Sequence, residues 1–99
     1  MTDRVAGFDW DKGNRRKCVQ HGVSLDEIEA VFRADPRIAP DPGHSGAETR
    51  FLAVGKNTEG RPIFVAFTLR QIDGAQRIRP VSARYMHARE INRYEASRS

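Results

Sequence analysis

The most regular hydrophobic pattern in the chain begins at Leu25 and predicts an amphipathic helix. Four apolar side chains recur there at the spacing of a helix that faces a core: Leu25, Ile28, Val31 and Phe32. Ser24 stands just before them and Glu27 follows three positions later, which is the pattern of a capping box. Because proline cannot continue a helix, Pro36 ends this one.

A shorter and more polar helix is predicted from Asp11 to about Gln20. Asp11 is a typical N-cap residue, and Gly22 is a typical C-terminal stop. Upstream, Phe8 and Trp10 alternate with a polar residue, which indicates a short strand or an anchoring turn. We expect both aromatic rings to belong to the core rather than to stack on bases.

The second half of the chain favours strands. The first two candidates run from Arg50 to Gly55 and from Pro62 to Arg70, and a turn from Asn57 to Gly60 joins them. The second candidate is apolar on both faces, which is typical of a central strand. A short strand at Ile38-Ala39 is also expected within the turn-rich segment that precedes them.

A third strand, from Gln76 to about Ala83, follows the hairpin turn Asp73-Gly74. Pro80 within it indicates a free edge or a bulge. The tail from His87 to about Ala96 has helical spacing. The order of elements predicts an α+β fold with two N-terminal helices, an antiparallel sheet of three to four strands and a C-terminal helix.

Length and composition limit the organisation of the chain and its compartment. A chain of 99 residues, 38% of them hydrophobic, has room for a single domain, residues 1–99, with a modest core. No apolar run approaches the roughly 20 residues of a membrane helix, and the first residues lack the apolar stretch of a secretory signal. The single cysteine, Cys18, excludes an internal disulfide. We therefore expect a reduced, cytoplasmic protein with Cys18 as a core residue.

Positive charge is concentrated in the second half of the chain. Residues 1–50 carry 8 Lys and Arg against 9 Asp and Glu, whereas residues 51–99 carry 9 against 4. All but one of those nine bases are arginine, which is preferred where phosphate or carboxylate is recognised through two parallel hydrogen bonds. This half predicts a polyanionic partner, either nucleic acid or an acidic protein.

Common cofactor and metal motifs are missing. The three histidines, His21, His44 and His87, are far apart, and the chain has neither H-E-x-x-H nor a cysteine pair. It also has no glycine-rich phosphate loop, dinucleotide fingerprint or G-x-S-x-G elbow. We therefore expect no cofactor and no metal site.

Arginines stand on and after the last two predicted strands, at Arg70, Arg77, Arg79, Arg84, Arg89 and Arg93. Arg70 ends one strand of a hairpin and Arg77 and Arg79 begin its partner, so we expect these three at one end of the sheet. With Arg84 they are expected to converge into one cation-lined patch. Such a patch suits metal-free RNA cleavage, in which the 2′-hydroxyl attacks the adjacent phosphorus and cations stabilise the charged intermediate.

Histidine titrates near neutral pH, so His21 or His87 could be the acid or the base of such a reaction. Simpler interpretations stand beside these. His21 could interact with the C-terminal carbonyls of the first helix, and Glu48 and Arg50 could form a local salt bridge. Arginines at strand ends pair with acidic neighbours at least as often as they bind phosphate.

Several short blocks resemble a known family when their order and spacing are taken together. They are Phe8-Asp9-Trp10-Asp11, His21-Gly22-Val23-Ser24, the segment from Glu48 to Gly55, Val81-Ser82-Ala83-Arg84, and the closing Glu90 and Tyr94. In this order they resemble the BrnT toxins of type II toxin–antitoxin systems. The resemblance extends from about Phe8 to Glu95. It implies a RelE-like fold, metal-independent ribonuclease activity that arrests translation, and neutralisation by a BrnA antitoxin with a ribbon-helix-helix domain, in a complex that represses its own operon.

These observations lead to the following candidate site. Phosphate and transition-state ligands are predicted at Arg70, Arg79 and Arg84, with His21 or His87 as proton carriers. Contacts to the RNA backbone are predicted at Lys12, Arg16, Lys17, Arg77 and Arg89. The alternative is a non-catalytic basic module, or a co-repressor subunit, that docks an acidic partner protein.

Overall fold

The computed structural model describes residues 5–41, 43 and 48–98. Within them, eight elements follow in chain order: β1 Val5–Phe8, α1 Lys12–Val19, α2 Leu25–Arg33, β2 Arg37–Pro40, β3 Arg50–Lys56, β4 Pro62–Ile72, β5 Ala75–Tyr85 and α3 Ala88–Arg98. The strands form one sheet in the order β1-β5-β4-β3-β2. β1 is parallel to β5, and the other pairs are antiparallel. The predicted α+β class, the two N-terminal helices and the C-terminal helix are confirmed.

The predicted sheet of three to four antiparallel strands is wrong, because the sheet has five strands and is mixed. The two edge strands are short, with four residues each. β2 is the short strand expected at Ile38-Ala39, which is confirmed. β1 ends at Phe8, where the predicted strand or anchoring turn of Phe8 and Trp10 begins, and it was not expected as a parallel neighbour of β5. β1 pairs with a strand some 70 positions later in the chain, a relationship that a local pattern does not contain.

Both N-terminal helices begin where their capping residues predict. The Asp11 carboxylate accepts from the Asn14 backbone N–H at 3.0 Å, and Asn14 Oδ1 accepts from the Asp11 N–H at 2.7 Å. At α2, Ser24 Oγ accepts from the Glu27 N–H at 3.1 Å and Glu27 Oε1 accepts from the Ser24 N–H at 2.9 Å. Each pair satisfies N–H groups that a helix start otherwise leaves without a partner.

The core lies between α2 and one face of the sheet. Ile28 and Val31 are fully buried against β3 and β4, and Phe32 meets Phe67 edge to face at 5.0 Å between ring centroids. Gly55 permits this close approach, because a Cβ there would lie 3.0 Å from Val31 Cγ1. α2 thus covers one face of the central strands and leaves the other face for different contacts.

The second half of β5 is bordered by α1 rather than by a strand. β1 ends opposite Ile78, and the Asn14 side-chain amide then donates to the Pro80 carbonyl at 2.9 Å. The β4–β5 register shifts between Ala66 and Phe67, next to Pro80. The bulge predicted from Pro80 is therefore confirmed, whereas the edge of β5 is not free at Pro80, because α1 covers it.

Candidate functional site

The sheet face opposite α2 contains a cavity of about 380 Å³. Strand register places Leu52, Ala66 and Ser82 side by side across β3, β4 and β5. The short side chains of Ala66 and Ser82 leave room that larger residues would fill, while Leu52 and Phe64 supply an apolar floor. The polar groups that line the cavity come from four separate places in the chain, and they are His21, Asp41, Arg50, Ser82 and Arg84.

Arg84 is held at the rim of this cavity by a carboxylate from α3. Its Nη1 and Nη2 donate to Glu90 Oε1 and Oε2, each at 2.8 Å, and the guanidinium carbon lies 4.7 Å from the Phe64 ring centroid. Hydrogen bonds from Arg84 and from the His87 backbone N–H lower the pKa of Glu90 to about 2. Glu90 in turn raises the pKa of Arg84. The guanidinium is thus a fixed cation with its two-pronged edge already occupied.

His21 reaches the same cavity from the end of α1. It is exposed in the turn that follows the helix, where the Gly22 N–H donates to the Val19 carbonyl at 3.1 Å. Its ring makes no hydrogen bond to any residue that the structure describes, so the expected interaction with the helix carbonyls is not observed. The structure therefore places His21 and Arg84 at one cavity, and their catalytic roles stay predictions.

Arg50 lines the cavity but was not among the predicted site residues. Its Nε lies 3.5 Å from Asp41 Oδ2, and both side chains are largely buried. The predicted local pair of Glu48 and Arg50 is wrong, because Glu48 binds Arg70 instead. The alternation of side chains along β3 is the sequence signal that points to Arg50. Arg50 and Leu52 lie on one face of the strand, and buried Ala53 lies on the other.

The other two predicted phosphate ligands lie away from the cavity. Arg70 is paired in register with Arg77, as expected for one end of the sheet, and it donates to Glu48 at 3.0 and 3.3 Å. Phe64, which pairs with Arg84, stands six positions before Arg70 on β4, or about 20 Å along a strand. The predicted convergence of Arg70 and Arg84 in one patch is therefore wrong.

Arg79 joins the β1–α1 connection to β5. Its two terminal nitrogens donate to Asp9 at 3.1 Å and to Asp11 at 2.7 Å, and only 19% of its side chain is exposed. Burial alone would lower the pKa of Arg79, but the two carboxylates raise it above its usual value. Arg79 lies near Arg70 and Arg77 in the sheet register, as predicted, but it does not line the cavity, so its predicted convergence with Arg84 is wrong.

The remaining predicted site residues are His87 and five basic side chains. His87 is exposed just before α3 and lines a depression with Arg89, Glu90 and Arg93 rather than the cavity of His21. None of the five predicted RNA-contacting residues forms an ion pair with a carboxylate of the described residues: Lys12, Arg16, Lys17, Arg77 and Arg89. Their contact with RNA stays a prediction.

Cys18 occupies the core, as the sequence predicts. Cys18 is fully buried in the core, and burial raises the pKa of its thiol to about 11. Over the described ranges, no three His, Cys, Asp or Glu side chains cluster as a metal site would require. His44 lies outside the described residues. Among the helices that the structure describes, none has the length and apolar character needed to cross a membrane.

Comparison with family models identifies the family of the chain. The family model described as the ribonuclease toxin, BrnT, of type II toxin–antitoxin systems matches residues 10–90. The chain therefore belongs to the BrnT toxin family, whose members are ribonuclease toxins of type II toxin–antitoxin systems. A search of curated proteins finds no match. The matched range contains His21, Arg50 and Arg84 and ends at Glu90.

Proposed function

We propose that this protein is a metal-independent endoribonuclease that acts in the cytoplasm and arrests translation by cutting RNA. The observation that carries the proposal is the meeting of His21 and Arg84 in one cavity, although they lie 63 positions apart in the chain. A cavity of about 380 Å³ falls within the usual size of small-ligand sites, which suits a single nucleotide.

The chemistry needs a base, charge stabilisation and a proton for the leaving oxygen, and the cavity has residues for the first two. A neutral His21 imidazole removes the proton of the ribose 2′-hydroxyl, whose oxygen attacks the adjacent phosphorus and displaces the 5′-oxygen. Arg84 and Arg50 stabilise the negative charge that builds on the phosphoryl oxygens. Proton return to the leaving oxygen produces one fragment with a 2′,3′-cyclic phosphate and one with a free 5′-hydroxyl.

Substrate affinity in this proposal comes mainly from cations outside the cavity. Lys12, Arg16 and Lys17 are exposed on α1, the helix that ends next to His21. Contacts between such side chains and phosphates release counterions, so affinity falls steeply as salt is added. The three residues would extend the binding track beyond the nucleotide in the cavity.

The neutralising partner is proposed to be a BrnA-like antitoxin with a ribbon-helix-helix DNA-binding domain, and the operon is repressed only through the toxin–antitoxin complex. The family description supports an antitoxin partner of some kind. The exposed cations of α1 offer a surface that an acidic segment would neutralise. Co-expression with the adjacent reading frame should restore growth, and failure of that frame to bind the purified toxin would contradict the partner.

The test of the activity is incubation of purified protein with single-stranded RNA in EDTA. We expect fragments with cyclic phosphate ends, and a loss of at least about 100-fold in rate for His21→Ala and for Arg84→Ala. Arg61→Ala is the matched control, because Arg61 also stacks on an aromatic ring, Tyr85 at 3.5 Å, but does not line the cavity. Intact RNA with folded wild-type protein would favour the non-catalytic binding module instead.

A further inference from the structure

Arg84 is the cation in the cavity that is best placed to bind a phosphate, and a side chain of the protein itself already occupies it. Carboxylate and phosphodiester groups both offer two oxygens that match the guanidinium fork. Glu90 fills that fork with two hydrogen bonds of 2.8 Å. The pair is not sealed from solvent, since 39% of the Arg84 side chain and 27% of the Glu90 side chain are exposed.

The helix that carries Glu90 is loosely seated on the sheet. A second cavity, of about 240 Å³, lies between α3 and the sheet and is bordered by Val54, Phe64 and Tyr94. An ion pair of Lys56 with Glu95, at 3.5 Å and about half exposed, links the helix to β3. Such a pair contributes little to stability. The Arg37 guanidinium carbon also lies 5.9 Å from the centroid of the Tyr94 ring. Among the described residues, none of α3 belongs to the buried core, so displacing α3 leaves that core intact.

The two cavities meet at Phe64, which lines both of them. The Arg84 guanidinium covers the Phe64 ring on the side of the first cavity, and Glu90 borders the second. Removal of Glu90 from Arg84 would join the two spaces into one groove with an aromatic ring in its floor. Single-stranded RNA commonly binds by stacking a base on such a ring while a cation holds the neighbouring phosphate.

We propose that Glu90 mimics a phosphodiester group, so that α3 keeps the Arg84 phosphate subsite filled until single-stranded RNA displaces the carboxylate and lifts the helix. This inference rests on the proposed function, because it assigns RNA as the ligand of Arg84. In this proposal, the RNA substrate and the C-terminal helix of the toxin compete for Arg84. The apparent affinity for RNA then includes the free energy needed to break the Arg84–Glu90 pair.

The test measures binding of a 2′-O-methyl RNA oligonucleotide, which has no attacking hydroxyl and is not cleaved. Glu90→Gln removes one negative charge and weakens the internal competitor. Glu59→Gln removes the same charge from the exposed turn between β3 and β4, without touching Arg84 or α3. We expect Glu90→Gln to bind at least about 5-fold more tightly than Glu59→Gln in 0.1 M salt. Equal or weaker binding by Glu90→Gln would overturn the inference.

Hydrogen exchange of the wild-type protein gives a second readout that needs no variant. Backbone amides of residues 88–98 should exchange at least about 5-fold faster when the oligonucleotide is bound, because α3 leaves the sheet. Unchanged or slower exchange would contradict the displacement even if Glu90→Gln failed to fold. Cleavage of ordinary RNA is scored separately, so that loss of the proposed activity is distinguishable from loss of the proposed displacement.

Discussion

The Asn14 side-chain amide donates to the Pro80 carbonyl at 2.9 Å and to the Asp9 carbonyl at the same distance, and by doing so it fastens α1 to the edge of β5. The side chain is 6% exposed. Its carbonyl oxygen also completes the cap of α1. One amide thus bonds to three backbone groups, from the β1–α1 connection and from β5.

Replacement of Asn14 by alanine should lower the free energy of unfolding by about 2–3 kcal/mol, because buried carbonyls lose their donor and the helix loses its cap. Urea denaturation measures the change. Asn92→Ala on the exposed face of α3 is the matched control and should cost less than about 0.5 kcal/mol. Equal effects of the two substitutions would show that the Asn14 bonds are not a special anchor.

Arg79 should act on stability rather than on the reaction. Arg79→Ala leaves Asp9 and Asp11 without their common cation, so we expect a melting temperature lower by about 5 °C or more. The cleavage rate per folded molecule should stay within about 2-fold of wild type, whereas Arg84→Ala removes it. A folded Arg79→Ala protein that has lost activity would restore Arg79 to the catalytic set predicted from the sequence.

A larger side chain in the cavity tests whether the reaction needs the empty space there, without a change of charge. Ala66→Leu places three more carbon atoms between Leu52 and Ser82, so we expect cleavage to fall at least about 10-fold while the fold is kept. Ala39→Leu is the control, since Ala39 is exposed on edge strand β2 and does not line the cavity. Retained cleavage by Ala66→Leu would place the reaction elsewhere.

Acid should weaken the fold through two carboxylates. Burial of Glu27 opposes ionisation, but hydrogen bonds from Ser24, Asn57 and Tyr85 outweigh it and lower its pKa from 4.5 to about 2. The pKa of Glu90 is lowered to the same value, chiefly by Arg84. A lowered pKa in the folded state stabilises the protein above the unfolded value, near pH 4.5, and that stabilisation is lost as the pH falls towards 2.

The Glu27 contribution is measured as the difference in unfolding free energy between wild type and Glu27→Gln. After allowance for solvent screening we expect about 1 kcal/mol at pH 7, with the difference shrinking between pH 4.5 and pH 2.5. Urea denaturation at several pH values follows it. Asp26→Asn, which removes a carboxylate from the exposed side of the same helical turn, is the matched control. A Glu27 difference that is constant over this range would contradict the lowered pKa.

The features that were best predicted from the sequence depend on residues that are close together along the chain. Ser24 and Glu27, or Asp11 and Asn14, satisfy each other across three positions, so their pattern contains the whole interaction. The Asp73-Gly74 turn is similar, because both residues adopt the positive φ angles (52° and 78°) that suit this pair. The long apolar strand was correctly placed at the centre of the sheet for the same reason.

Contacts between distant residues explain what the sequence did not predict. Arg79 is neutralised by Asp9, 70 positions away, and Arg70 by Glu48, 22 positions away. Counting arginines in one half of the chain could not reveal carboxylates supplied by the other half. The cavity itself depends on a short side chain at Ala66 lying beside Ser82, which becomes visible only once the strand register is known.

The position of α1 beside β5 connects the integrity of the cavity to the solubility of the chain. The same helix shields the backbone of a long strand and carries His21 at its far end. If α1 detaches, the molecule loses its proposed proton carrier and exposes a strand edge that can pair with another polypeptide. Damaged copies of this toxin would therefore be harmless to RNA and prone to aggregate.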